Sequence, residues 1–267
     1  MPTAVITGAT HGLGRLVALD LARRGFDLGV VARSASKVED LRAEIGSDVT
    51  AFVADLSSLE DVRRAARAID AHYDRIDVLI NNAGIHAFSP RVTPDGVPEM
   101  TAVNYLAPWV LTNALRDKLI ASAPARVVTV ASEASRQVRS FDPATALTST
   151  AHYGRTKLMD IMFSQELARR LDGTGVTANC CDPGFNTTGL GRELPFAGVL
   201  EKALHALRIG DPGRGASIIT RLATDPAFAD VTGGYFSVKD AAPLECPESG
   251  RGVVQRSLWE ATERLLS

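Results

Sequence analysis

Neither sign of charge dominates this chain of 267 residues. Its 29 Lys and Arg stand against 31 Asp and Glu, mixed along the whole length, for a formal charge of −2. Nucleic-acid binders gather Lys and Arg on one face or stripe, so the even mixture excludes nucleic acid as a partner. Cysteine is scarce: Cys180, Cys181 and Cys246 are odd in number, two are adjacent in an apolar run, and no spacing matches a zinc site or a disulfide framework. A reducing, cytoplasmic setting without a bound metal is expected. Long hydrophobic runs are missing too, none approaching the roughly 18 residues of a membrane helix. The opening MPTAVITGAT lacks the basic start and apolar core of a secretory leader. Neither a signal peptide nor a membrane span is expected. Linkers, repeats and low-complexity tracts are also missing, and 45% hydrophobic with 22% charged residues suits one globular domain over 1–267 with a sizeable core.

What the chain does have is rhythm. Short β-rich runs, TAVIT (3–7), DLGVVAR (27–33), VTAFVA (49–54), DVLI (77–80), RVVTVAS (126–132) and VTANCC (176–181), alternate with apolar residues at three-and-four spacing, as in LGRLVALDLARR and LEDVRRAARAI. This alternation predicts an α/β fold: a doubly wound, mostly parallel sheet with helices on both faces. Ser36 before KVEDLRAEI with Gly46 after it, and Ser57 and Ser58 before Glu60 and Asp61, read as helix boundaries. Two stretches break the rhythm, about 133–150 and 183–213, after the fifth and sixth strands. Loops at the carboxyl ends of parallel strands are where such sheets bind ligands, so these are candidate substrate-side loops.

The first turn, TGATHGLG (7–14), joins a strand directly to a helix. Gly8, Gly12 and Gly14 permit a tight turn and close backbone approach, and the free N–H groups at the helix start attract a pyrophosphate. Thr7, Gly8, His11, Gly12, Leu13 and Gly14 are the candidate cofactor residues here; the alternative is a merely tight turn. The second strand ends Ala32-Arg33-Ser34, where an acidic residue would hold the ribose 2′-hydroxyl of NAD. A guanidinium fork and a hydroxyl suit a 2′-phosphate instead, which points to NADP over NAD, held by Arg33 and Ser34. Further on, STAHYGRTKLMD (149–160) sets Tyr153 and Lys157 four residues apart on one helical face. Alone, that pair reads as a surface pair, with the lysine stem lying along a half-buried tyrosine.

With TGATHGLG, NNAG (81–84) and YGRTK (153–157) in this order, the chain resembles the classical short-chain dehydrogenase/reductase family over essentially its whole length. TGGYFSVKDAAP (232–243) and SLWEATERLL (257–266) are similar to the retinol dehydrogenase-like branch. The resemblance implies a single-domain Rossmann fold in which Asp55, with Leu56, meets the adenine, and Asn81, Ala83 and Gly84 line the cofactor ribose. An acid opening a helix and an amide supporting the sheet are the plain alternatives for Asp55 and the asparagine. Asn104, on an apolar helical face with Ala107 and Leu111, would extend a proton path to Lys157. Ser132, at the end of the fifth strand, would hydrogen-bond the substrate oxygen, with Ser135 as rival. Pro183, Gly184 and Thr188 would flank the nicotinamide; Thr187 rivals Thr188, and Asn186 departs from the usual aliphatic residue.

These residues imply a division of labour: Tyr153 as acid in reduction and base in oxidation, Lys157 lowering its pKa and holding ribose hydroxyls, Ser132 and Asn104 completing the site. A free phenol, with a pKa of about 10, lies roughly 4 kcal/mol from ionised at neutral pH. The expected activity is NADP-dependent reduction of a ketone, aldehyde or quinone. Oxidation of an alcohol with NAD, reduction of a conjugated double bond, and a non-catalytic cofactor-sensing regulator are the alternatives. Phe88, Phe141, His152, Phe185, Leu190, Leu194 and Phe196 suggest a partly apolar pocket for a small-molecule substrate, and 189–210 a mobile lid. His72, His86 and His205 read as surface or packing residues. The family resemblance also allows a homodimer or homotetramer through the helices bearing Asn104 and Tyr153, or a monomer.

Overall fold

The computed structural model describes residues 1–46, 49–142, 148–184, 211–238 and 242–267. Strands β1 (Thr3–Thr7), β2 (Asp27–Ala32), β3 (Val49–Val53), β4 (Val78–Asn81), β5 (Ala125–Val130), β6 (Val176–Asp182) and β7 (Tyr235–Ser237) form one sheet in the order β3-β2-β1-β4-β5-β6-β7. All six pairings are parallel. Helices α1 (Gly12–Arg23), α2 (Ala35–Ile45) and α8 (Pro212–Thr224) cover one face. The other carries α3 (Leu59–His72), α5 (Ala107–Ala114) and the long α7 (Ser149–Arg170), with α9 (Val253–Leu266) packed outside α7. Two short elements, α4 (Glu99–Thr101) and a π-helical segment Ala102–Leu106, lead into α5, and α6 (Arg116–Ala121) follows it.

Period-two side chains divide the interior into two cores. Val5, Val31, Leu79, Val127 and Ala178 point to the α3/α5/α7 side, while Ile6, Val30, Ile80, Val128 and Cys181 point to the α1/α8 side. Both faces are dry, which is why the strands read as nearly unbroken apolar runs rather than as alternating ones. This is the doubly wound Rossmann architecture expected from the sequence. Strand order reverses between β1 and β4, and the crevice that opens there at the carboxyl ends of the strands is where such sheets bind dinucleotides.

The six expected strands lie within a residue or two of their sequence limits. The seventh was not foreseen: its three residues are too few to show a period, and the strand exists because Cys180, Cys181 and Asp182 of β6 pair with Tyr235, Phe236 and Ser237. Strand β5 ends at Val130 rather than Ser132; Ser132 instead caps a 3₁₀ turn over Glu133–Gln137, its Oγ accepting from Ala134 N at 3.2 Å. Helix α2 begins at Ala35 with Ser34 before it, earlier than a cap at Ser36 would give; the Ser34 and Ser36 hydroxyls bond each other at 2.9 Å. Ser58 caps α3 as expected, and Gly46 closes α2 at φ 72°, a left-handed turn that glycine takes without strain.

Candidate active site

The glycine turn is shaped by its neighbour across the sheet. Asn82 Nδ2 donates to Thr7 O (2.9 Å) and Gly8 O (3.3 Å), and Thr7 Oγ1 accepts from Asn82 N and Ala83 N, each at 3.0 Å. A Cβ on Gly14 would collide with Asn82 Nδ2 and Gly8 O, so glycine is required for α1 to start this close to β1 and β4. His11, which precedes α1, makes no side-chain cap; its ring meets Thr10 Oγ1 at 3.0 Å. The first-turn N–H groups are thus left for an anion.

A cleft of about 420 Å³ runs from this turn across the sheet ends to α7. Its walls carry Gly8, His11, Gly12, Leu13, Gly14, Arg33, Asp55, Leu56, Ala83, Gly84, Ser132, Tyr153, Lys157, Pro183 and Gly184, which joins most of the sequence-nominated residues in one space. Asp55 Oδ1 is oriented by Ser57, which donates from its N–H (2.9 Å) and Oγ (2.8 Å). Four nominated residues are not part of the wall. Thr7 braces the Asn82-Ala83 backbone, Ser34 precedes α2, Asn81 points away to donate to Thr112 Oγ1 (2.9 Å), and Asn104 is fully buried. Thr188 and Thr187, with Asn186, Phe185, Leu190, Leu194, Phe196, His205 and the suggested lid, lie outside the described residues. A larger groove, about 660 Å³, is lined by Gln165, Arg169, Cys246 and Gln255 and carries none of the nominated side chains.

Helix α7 is brought to this cleft by a glycine. A Cβ on Gly154 would come within 2.5 Å of Ala134 O, so only glycine lets α7 rest on the turn that Ser132 opens. Tyr153 and Ser132 thereby share the cleft, whereas the rival Ser135 is fully buried. Asn104 sits in the π-helical segment, accepts from Ile85 N (2.8 Å), and donates to Ile85 O (3.0 Å) and Thr156 Oγ1 (2.9 Å). Thr156 Oγ1 in turn donates to Tyr153 O at 2.8 Å, so the amide ties the NNAG loop to the turn of α7 that bears the phenol. Its side chain does not bond Lys157. Lys157 is 3% exposed, and its ammonium donates to Val130 O (2.8 Å) and Asp160 Oδ2 (2.9 Å) and stands 5.9 Å from the Tyr153 ring centre.

Burial raises the Tyr153 pKa; the Lys157 charge pulls it back, Asp160 pushes it up again, and a Ser132 hydrogen bond lowers it. The net direction is upward. His86, read from the sequence as a surface or packing side chain, stacks on the Tyr153 ring at 5.0 Å and lines the cleft, with Phe88 4.5 Å beyond it. Asn82, Thr156, His86 and Asp160 are what sequence reasoning passed over. Asp160 alone carried a usable signal, an acid three residues beyond a lysine on an otherwise apolar helix face.

A glycine turn against a helix start, a strand-order reversal and a phenol-lysine pair across the crevice define a nicotinamide-dependent oxidoreductase of Rossmann architecture. The chain belongs to the short-chain dehydrogenase/reductase family: the short chain dehydrogenase family model matches residues 2–195. It is 37% identical to human retinol dehydrogenase 13 over 286 residues, spanning 99% of this chain and 84% of that one, and falls in the retinol dehydrogenase-like branch. It is 34% identical over 271 residues to DnrU of Streptomyces sp. (strain C5), provisionally named a daunorubicin C-13 ketoreductase, covering 97% and 91% of the two chains. Among solved structures, the RhlG/NADP active-site complex of Pseudomonas aeruginosa superposes with TM-score 0.71 at 27% identity over 88% and 94% of the chains. A Burkholderia cenocepacia short chain dehydrogenase in complex with NADP gives 0.73 at 25% over 88% and 95%.

Proposed function

We propose that this protein reduces the carbonyl of a ketone, aldehyde or quinone to an alcohol with NADPH, Tyr153 serving as general acid. One observation carries the reading: Ser132 and Tyr153 line the same end of a cleft whose other end is the glycine turn, with Lys157 buried behind the phenol. The cleft suits a dinucleotide, since its first turn is closed to any side chain at Gly14 and open at the α1 N–H groups. The turn Gly8–Gly14 with Thr7 would hold the pyrophosphate, Arg33 and Ser34 the 2′-phosphate, and Asp55 and Leu56 the adenine. Asn81, Ala83, Gly84 and Lys157 would hold ribose, and Pro183, Gly184 and Thr188 the nicotinamide. Bound there, the dinucleotide supplies the hydride.

Ser132 donates a hydrogen bond to the carbonyl oxygen as negative charge builds on it, and Tyr153 delivers the proton. The Lys157 ammonium stabilises the phenolate left behind, and Asn104 fixes the helix turn beneath it. His86, stacked on Tyr153, lines the cleft beside the phenol, with the Phe88 ring 4.5 Å from it. The three cysteines are free and buried, which supports a reducing, cytoplasmic setting. No helix among the described residues is long and apolar enough to cross a membrane. The likeness to a retinol dehydrogenase supports the reverse reaction, alcohol oxidation, as a second reading of the same site.

NADPH consumption with a panel of ketones, aldehydes and quinones tests the activity. Tyr153→Phe is expected to lower turnover by at least about 10²-fold, the range of a general acid, while NADPH still binds. Turnover close to wild type would overturn the assignment.

A further inference from the structure

Behind the cleft lies a charge that no step above uses. Asp160 is 1% exposed, one turn beyond Lys157 on α7, and its Oδ2 accepts from the ammonium at 2.9 Å. Its other oxygen, Oδ1, has no hydrogen-bond partner among the described residues. A buried carboxylate with half its acceptor capacity unused costs stability that a neutral side chain of the same size would avoid. Packing alone therefore does not account for it.

What surrounds the pair limits its influence to one direction. Tyr105 of the π-helical segment and Cys180 and Cys181 of β6 face it, and burial pushes all three above their ordinary values, so they are neutral at physiological pH. Val130 O of β5 is a dipole without net charge. Asp182, at the end of β6, is the other acid that acts on Tyr153. Among the described residues Lys157 is thus the cation that acts on the phenol, beside which the titratable His86 ring stacks, and Asp160 is the ammonium's contact counter-ion.

Without a partner, a buried ammonium this close would draw Tyr153 strongly toward phenolate. We propose that Asp160 is a positioning residue for proton transfer: it holds the Lys157 ammonium in place and offsets its charge at Tyr153 so that the phenol stays protonated for carbonyl reduction. The proposal rests on the reading of Tyr153 as the general acid. Burial drives the Asp160 carboxyl up, while the Lys157 ammonium at 2.9 Å pulls it back and favours its ionised form. Burial also opposes the Lys157 ammonium, but Asp160 and Tyr153 outweigh it, and its pKa lies above the ordinary lysine value.

Asp160→Asn tests this, because the amide keeps the shape and an oxygen for Lys157 while removing the charge. Ultraviolet titration of tyrosinate in the unliganded protein, minus the same titration of Tyr153→Phe, isolates Tyr153 from Tyr73, Tyr105 and Tyr235. The expected result is ionisation of Tyr153 about one pH unit lower in Asp160→Asn, a tenfold gain in phenolate at a given pH. The alkaline-rising limb of kcat/KM for alcohol oxidation should move with it. An unmoved or raised Tyr153 ionisation would overturn the role of Asp160, since a merely structural carboxylate leaves the titration where it was. If Asp160→Asn does not fold, Asp160→Ser, smaller and equally uncharged, carries the same titration and the same criterion. The two failures separate: Tyr153→Phe that still turns over defeats the general-acid reading, whereas an inactive Tyr153→Phe with an unmoved titration in Asp160→Asn defeats only the counter-ion.

Discussion

Tyr153 and Lys157 show how far a spacing of four can be read. Four residues apart on α7 they share a face, and in the structure the ammonium lies within cation-π range of the ring. The same spacing on a solvated helix would have produced an ordinary surface pair; burial to 3% exposure makes this one different. Arg33 is legible in the same way, because its position at the end of β2 follows from strand order alone and the structure puts it on the cleft wall. Arg33→Ala is expected to weaken NADPH binding by about 1.5–3 kcal/mol, the worth of a charged hydrogen bond, and to leave NADH nearly unchanged. Equal losses for the two cofactors, measured by fluorescence titration, would remove Arg33 from the phosphate site. His86 was not legible: nothing in GIHAFSP distinguishes a ring stacked on Tyr153 from one turned to solvent.

At the scale of elements, glycine and serine do most of the positioning. Helix α7 meets the 3₁₀ turn Glu133–Gln137 only because residue 154 has no side chain. Gly154→Ala should push that turn and Ser132 away from Tyr153. Turnover is then expected to fall by an order of magnitude or more, the sensitivity of catalysis to a misplacement of about 1 Å, with NADPH affinity retained. Unchanged kcat in a folded Gly154→Ala protein would show that the contact does not set the Ser132 position. The helix carrying Asn104 was expected as one regular run. It contains a π-helical stretch instead, a widening that places the amide to bond both backbone groups of Ile85 and the hydroxyl of Thr156. Side-chain periodicity cannot show this wide turn, since all five residues Ala102–Leu106 are buried and leave no polar face whose shift could be seen.

For the whole molecule, the two apolar cores flank one sheet, and α9 closes the outer side of α7. Trp259 is the anchor: it is 2% exposed, stacks on Phe163 at 5.7 Å, and has the Arg170 guanidinium 4.4 Å from its ring. Trp259→Ala should cost about 3–5 kcal/mol, as large buried aromatics do, and chemical denaturation would register it as a lower midpoint with a similar slope. A loss well under 1 kcal/mol would mean that α9 contributes little to the fold.

The alternation of apolar runs with three-and-four spacing determined the doubly wound architecture, because period is a local property that each segment carries by itself. The glycines of the first turn, Arg33, Tyr153 and Lys157 were likewise set by sequence, since each follows directly from a strand end or a helical repeat. Only tertiary structure decided that β7 exists, that Asn82 rather than Asn81 braces the glycine turn, and that Asp160 stands under Lys157 as a buried charge. Those outcomes depend on which atoms from distant segments exclude water from one another, and no window along the chain contains that information.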